Sequence, residues 1–255
     1  MVIFVTTILN QMEKIFTKEY RVTHRDTDLN GRLSLASLGS FVLDTAGLHA
    51  IEIHTSMEIL NSMDLTWVVT GIHFAINEMP PIHSLIKVTT KINEISRLAC
   101  KRDFLIEHEG KKVAEISTEW LIINVKTRRP VFLVDVLPHI KDLVTPGEGA
   151  EKYKHLRFAI EKPIDTSNYT IRYADIDINR HLYSMRYIEL AMDMVDLETH
   201  QNKTIVSADV NYISEVLYNQ QVTLIINQEG DTSQIEMHNA DQKPMFRAEF
   251  VWKDK

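Results

Sequence analysis

The 255-residue sequence holds one cysteine, Cys100, so no disulfide can form within the chain. That fits a reducing compartment. No apolar run approaches the ~18 residues that suggest a membrane span. The opening MVIFVTTILNQ is apolar but lacks a basic leader and a small-residue cleavage site, so it is not read as a signal peptide. Met12 offers a second start, MEKIFTKEYRV, and residues 1–11 are expected to be an extension with little structural role. Basic residues are outnumbered 28 to 35, a net charge of −7. A nucleic-acid binder needs a basic face to displace counterions, so the net charge argues against that class, a local basic patch aside. Low-complexity tracts are absent too, and 44% apolar with 25% charged residues is the balance of a globular protein expected in the cytoplasm. The length suits one large core or two ordinary domains.

What is present is a repeat. YRVTHRDTDLNGRL, from Tyr20, aligns without a gap on YTIRYADIDINRHL, from Tyr169. Tyr20 meets Tyr169, Asp26 meets Asp175, Asp28 meets Asp177, Asn30 meets Asn179 and Leu33 meets Leu182. A shared Y…D-x-D-x-N…L skeleton in one register indicates a duplicated unit.

Each copy opens with an extended segment, such as Tyr169-Thr-Ile-Arg-Tyr, then a polar turn and a helical stretch. Ile188, Ala191, Met192 and Val195 recur on one helix face, as do Leu38, Phe41, Val42 and Thr45 in the first copy. Strands are expected next, at about 66–77, 84–95, 98–109 and 112–125, and again at 205–214, 221–228, 234–239 and 244–253. Glu109-Gly110-Lys111 predicts a tight hairpin. One helix followed by antiparallel strands predicts an α+β fold in which each sheet curls around a helix. The turn-rich stretch around Thr145-Pro146-Gly147 reads as a connector. This divides the chain into residues 1–138, a linker at 139–164, and 165–255.

The copies diverge where Asp28-Leu-Asn30-Gly-Arg32 becomes Asp177-Ile-Asn179-Arg-His181. In extended backbone Asp177, Asn179 and His181 share one face, just before a helix N-terminus suited to a developing oxyanion. The competing reading is that Asp and Asn merely brace a turn. Within that five-residue stretch histidine occurs only in the second copy, which favours chemistry there. One His, one Asp and one Asn make a poor metal set, so neither metal nor other cofactor is expected.

Asp177-Ile-Asn179-Arg-His181, followed by Arg186-Tyr187-Ile188, resembles the active-site segment of the acyl-ACP thioesterases of plants and bacteria. Ala46-Gly-Leu-His49-Ala50, Trp67-Val-Val-Thr70, Trp120 and Arg128-Arg129-Pro130 stand in that family's order. The resemblance implies a tandem hot-dog fold, each repeat a curved antiparallel sheet around a long helix. It implies hydrolysis of fatty acyl chains from acyl carrier protein, with Asp177, Asn179, His181 and Glu215 as catalytic residues. It places Glu215 on the strand after the second helix. Where some members carry a cysteine after this glutamate, the chain has Val216, so a cysteine–histidine mechanism is excluded there. Tyr183-Ser184, Leu190 and Lys91 depart from the family pattern, at positions expected to line or abut an acyl tunnel.

Acyl carrier protein is acidic, so its dock should be basic. Lys101-Arg102, Lys111-Lys112 and Lys126/Arg128/Arg129 are candidates, although a charge-guarded strand edge explains them equally. The resemblance permits a homodimer. The rival readings are acyl-CoA hydrolysis or a non-catalytic acyl-binding protein.

Overall fold

The computed structural model describes residues 13–147, 150–151 and 153–255, so residues 1–11 lie outside the described part. The first half runs β1 (Ile15–Arg21), α1 (Leu35–Glu52), α2 (Met57–Asn61), β2 (Leu65–Ile76), β3 (Leu85–Ile95), β4 (Ala99–His108), β5 (Lys111–Asn124) and the short α3 (Leu133–Val136). The second runs β6 (Asp165–Thr170), α4 (Ser184–Met192), α5 (Leu197–Asn202), β7 (Lys203–Tyr212), β8 (Gln221–Glu229), β9 (Thr232–His238) and β10 (Pro244–Asp254).

Among the described residues ten strands form one sheet, ordered β1-β3-β4-β5-β2-β7-β10-β9-β8-β6. Each half contributes five strands in the same order, and β2 pairs with β7 from Gly71↔Asn211 to Ala75↔Ser207. The sheet is therefore continuous across the repeat. The eight expected strands fall where the alternation placed them. Glu109 and Gly110 both have positive φ, the geometry of a two-residue hairpin turn. The extended segment opening the second repeat ends earlier than expected, because Tyr173–Asp175 forms a 3-10 turn.

One core runs through both halves, joining Leu38 and Val42 of α1 to Ile188 and Ala191 of α4 and to Phe74 and Phe246 of the sheet. The helices approach each other at Gly39, where a Cβ would lie 2.2 Å from Met185 Sδ. Ser34 caps α1 by accepting from Ser37 N. α4 has nine residues against eighteen in α1. Val195 is buried as its spacing requires, but beyond the helix, because Asp196 starts α5 by accepting from Thr199 N at 2.8 Å.

The connector is less loose than its turn-rich composition suggests. Leu133, Leu137, Ile140 and Leu143 pack with Ile53, Leu60, Ile92 and Cys100 into a second core cluster. The chain then crosses the other face of the sheet, where Asp209 and Asn211 alternate with the inward Ala208 and Val210. Asn211 Oδ1 accepts from Leu156 N at 2.8 Å and its Nδ2 donates to Lys154 O at 3.0 Å. Gly71 leaves room for the Tyr153 ring, which a Cβ would meet at 1.9 Å.

Candidate active site

Both copies of the repeated motif form the same tight turn. Asp28 N donates to Arg32 O at 2.7 Å, and Asp177 N to His181 O at 2.9 Å. Asp28 Oδ1 accepts from Asn30 N at 2.8 Å, and Asp177 Oδ1 from Asn179 N at 2.8 Å. Gly31 and its counterpart Arg180 are left-handed, at φ 71° and 64°. The segment is an Asx turn, not the extended backbone expected from the alternation. Bracing is thus a real role of the aspartate in both halves. It also brings Asp177 and His181 to adjoining positions at the base of the turn, with Asn179 Nδ2 3.5 Å from Asp177 Oδ2.

The loop after β7 closes on this turn. Leu182 N donates to Val216 O at 2.8 Å, and His181 bridges to Leu217. Glu215 lies in that loop, just beyond the end of β7 rather than on the strand, with Oε2 3.4 Å from His181 Nε2. Tyr187 holds the loop from α4: its hydroxyl accepts from Val216 N at 3.0 Å and donates to Ser214 O at 3.4 Å. Arg128, from the first half, forms an ion pair with Glu215. Burial lowers the pKa of His181 below the usual histidine value; the Arg128 cation lowers it further and Asp177 opposes both.

Asp177, Asn179, His181 and Glu215 all line one cavity of about 790 Å³. Its other wall comes from the first half, including Leu43 and Gly47 of α1 and, deeper, Trp67, Cys100 and Trp120. The volume and largely apolar walls suit a small-molecule chain. Cys100 is buried, and burial pushes its thiol up to about 11, which removes it as a nucleophile. Tyr183 and Ser184 line the cavity as expected, the former donating to Ser40 Oγ at 3.1 Å. Leu190 is instead packed in the core, and Lys91 lies on β3 away from the cavity lining.

The basic patch does not survive intact. Arg102 is buried and donates to His49 Nδ1 at 3.0 Å, and Arg128 is committed to Glu215. Lys101, Lys112 and Lys126 pair with Glu94, Glu115 and Asp64. Sequence reasoning named Arg128 only as family pattern and docking candidate, and gave Tyr187 no role. Their place in a motif of the resemblance was the available signal.

The repeat also shows what the first half lacks. There Leu33 N donates to Pro80 O and Arg32 bridges to Pro81, the same contacts made by Leu182 with Val216 and His181 with Leu217. Arg32 therefore stands in place of His181, and Met79 in place of Glu215. A cavity of about 1010 Å³ faces this turn, lined by Asp28, Asn30, Arg32 and Met79. At the positions of His181 and Glu215 it carries Arg32 and Met79, and its histidine, His200, comes from another element, α5. Among the described residues no cluster of His, Cys, Asp or Glu could hold a metal ion.

The tandem repeat, single sheet and polar turn at an apolar cavity define a double hot-dog protein of the thioesterase type. Residues 13–140 match the acyl-ACP thioesterase N-terminal domain and residues 160–252 the C-terminal domain, and the chain belongs to the acyl-ACP thioesterase family. It is 28% identical over 159 residues to a chloroplastic acyl-[acyl-carrier-protein] hydrolase of Cuphea viscosissima, covering 60% of this chain and 38% of that protein. It is 26% identical over 161 residues to a chloroplastic palmitoyl-acyl carrier protein thioesterase of Cuphea hookeriana, with the same coverage. These alignments span less than half of either relative. The structure of an acyl-ACP thioesterase from Bacteroides thetaiotaomicron superposes with a TM-score of 0.85 at 27% identity, covering 94% of this chain and 98% of that one. The 12:0-ACP thioesterase from Umbellularia californica has the same fold, with a TM-score of 0.87 at 17% identity.

Proposed function

We propose that this protein hydrolyses the thioester of fatty acyl chains carried on acyl carrier protein, releasing the free acid, in a reducing cytoplasmic compartment. The observation that carries this reading is the convergence of two carboxylates, an amide and an imidazole on one acyl-sized cavity. Asp177 Oδ1 is occupied by the backbone of its own turn, whereas Glu215 is held by side chains alone, Arg128 on one oxygen and His181 facing the other, and is taken as the base. Glu215 takes a proton from water as the oxygen attacks the carbonyl carbon. The tetrahedral oxyanion is met by Asn179 Nδ2 and by the first N–H groups of α4, which no side chain caps. Collapse breaks the C–S bond, and the proton passes through Glu215 or His181 to the departing thiolate. The alkyl tail lies along the first-half wall of the cavity.

The test is thiol release from a panel of acyl-ACPs of graded length, with acyl-CoAs alongside. Wild type should release thiol from acyl-ACP, and His181→Ala, Asp177→Asn and Glu215→Gln should each lose ~10²-fold or more in kcat while staying folded. Faster release from acyl-CoA would move the assignment to that carrier. A folded, inert wild type would make it an acyl-binding protein.

A further inference from the structure

The cation on Glu215 comes from the other half of the molecule. Arg128 lies in the turn after β5, held left-handed at φ 58°, with its N–H donating to Asn124 O at 2.9 Å and Asn124 N donating to Arg129 O at 2.9 Å. That turn presents its guanidinium to the cavity mouth, where it takes Glu215 Oε1 while His181 Nε2 faces Oε2. One guanidinium nitrogen, Nη2, meets one carboxylate oxygen, and the planar, directional guanidinium aims that contact in a way that a flexible ammonium does not.

We infer that Arg128 is a positioning residue for hydrolysis: it holds Glu215 aimed into the cavity, and thereby makes the first half a part of the catalytic centre in the second. This rests on the thioesterase reading. A docking cation would act on the carrier instead, and the two roles separate in the kinetics. Arg128 holds Oε1 and His181 faces Oε2, so loss of Arg128 frees the carboxylate to rotate toward His181. Both the general base and the imidazole then change state together.

The experiment compares wild type, Arg128→Gln and Arg128→Lys on acyl-ACP and on an acyl-N-acetylcysteamine thioester, from pH 5 to 9, with thermal unfolding as the control for folding. In Arg128→Gln, kcat should fall ~10-fold or more on both substrates, KM for the small thioester should stay within about twofold, and the acidic limb should move to higher pH. Arg128→Lys, which keeps the charge but not the planar guanidinium, should restore the limb but only part of kcat. The His181 titration midpoint, read by NMR, should rise in Arg128→Gln whether or not the protein turns over. That separates failure of this inference from failure of the thioesterase reading, which an inert wild type would reveal. An unchanged kcat with a raised KM for acyl-ACP alone, or an unmoved His181 midpoint, would overturn the positioning role.

Discussion

His49, at the inner end of α1, should make the protein acid-sensitive in a way that one substitution isolates. Its side chain is fully buried, stacked on Phe16 with ring centroids 5.7 Å apart. Arg102 can only donate, so its 3.0 Å contact makes His49 Nδ1 an acceptor; Nε2–H then donates to Glu13 O at 2.9 Å. Protonating Nδ1 would break the first bond and set cation against cation. Burial, and then Arg102, lower the His49 pKa from 6.5 to about 4. The folded state thus resists a proton that the unfolded chain accepts below pH 6.5. Stability from this group is complete above 6.5 and is lost as pH falls toward 4. The full interval is at most about 3 kcal/mol, of which about 2 kcal/mol has gone by pH 5. Urea unfolding of wild type and His49→Asn from pH 7.5 to 4.5 measures it, since the asparagine Oδ1 can replace Nδ1 as acceptor. Contributions from groups other than His49 are common to both proteins and cancel. The variant should be less stable at neutral pH, and the gap should close on acidification. A constant gap, or a His49 titration near 6.5 by NMR, would refute the assigned tautomer and its cost.

Two glycines of α1 should respond oppositely to alanine. Gly47 faces open space, so Gly47→Ala should stabilise by ~0.5–1 kcal/mol, whereas Gly39→Ala meets Met185 and should cost ~1–3 kcal/mol, both read by urea denaturation. Gly71→Ala should displace Tyr153 and raise protease cleavage near residues 150–156, and an unchanged digestion pattern would count against the packed connector. Because His181 is held below 6.5, a kcat/KM limb due to this imidazole should lie below that pH, and a His181 limb above it would contradict the assigned environment.

Strand placement was readable because alternation and turn residues are local: the β4–β5 hairpin needs only Glu109-Gly110 to take positive φ. The four candidate residues were readable because the repeat isolates His181 as new in the second copy, and the family pattern supplied Glu215. Their geometry was not. Period-two spacing predicts a shared face only in extended backbone, and here Asp177 folds the segment by accepting from Asn179 N. Arg128 was hidden for a different reason, since its partner lies in the other repeat and no local pattern connects them. The connector misled through composition. Its prolines and Gly147 mark turns, but Ile140 and Leu143 continue the apolar spacing of Leu133 and Leu137 just before it and join the second core cluster. The end of α4 was set by the Asp196 cap, which competes with a continuing apolar face.

The two cavities show why one turn retains the polar set. At the repeat's constant spacing, Tyr187 corresponds to Leu38, so the first half lacks the hydroxyl that grips both sides of the Glu215 loop. Restoring the two obvious residues should therefore not restore a site. In a His181→Ala background, Arg32→His with Met79→Glu supplies the imidazole and the carboxylate. Met79 is buried, however, and a glutamate there would have no phenol to fix its loop, since Leu38 stands where Tyr187 does. The buried carboxylate takes up a proton instead of serving as a base. The triple variant should release thiol no faster than His181→Ala alone and should unfold at lower urea. Recovered turnover would mean that Arg128 and Tyr187 are dispensable, and that the imidazole–carboxylate pair suffices wherever this turn meets a cavity.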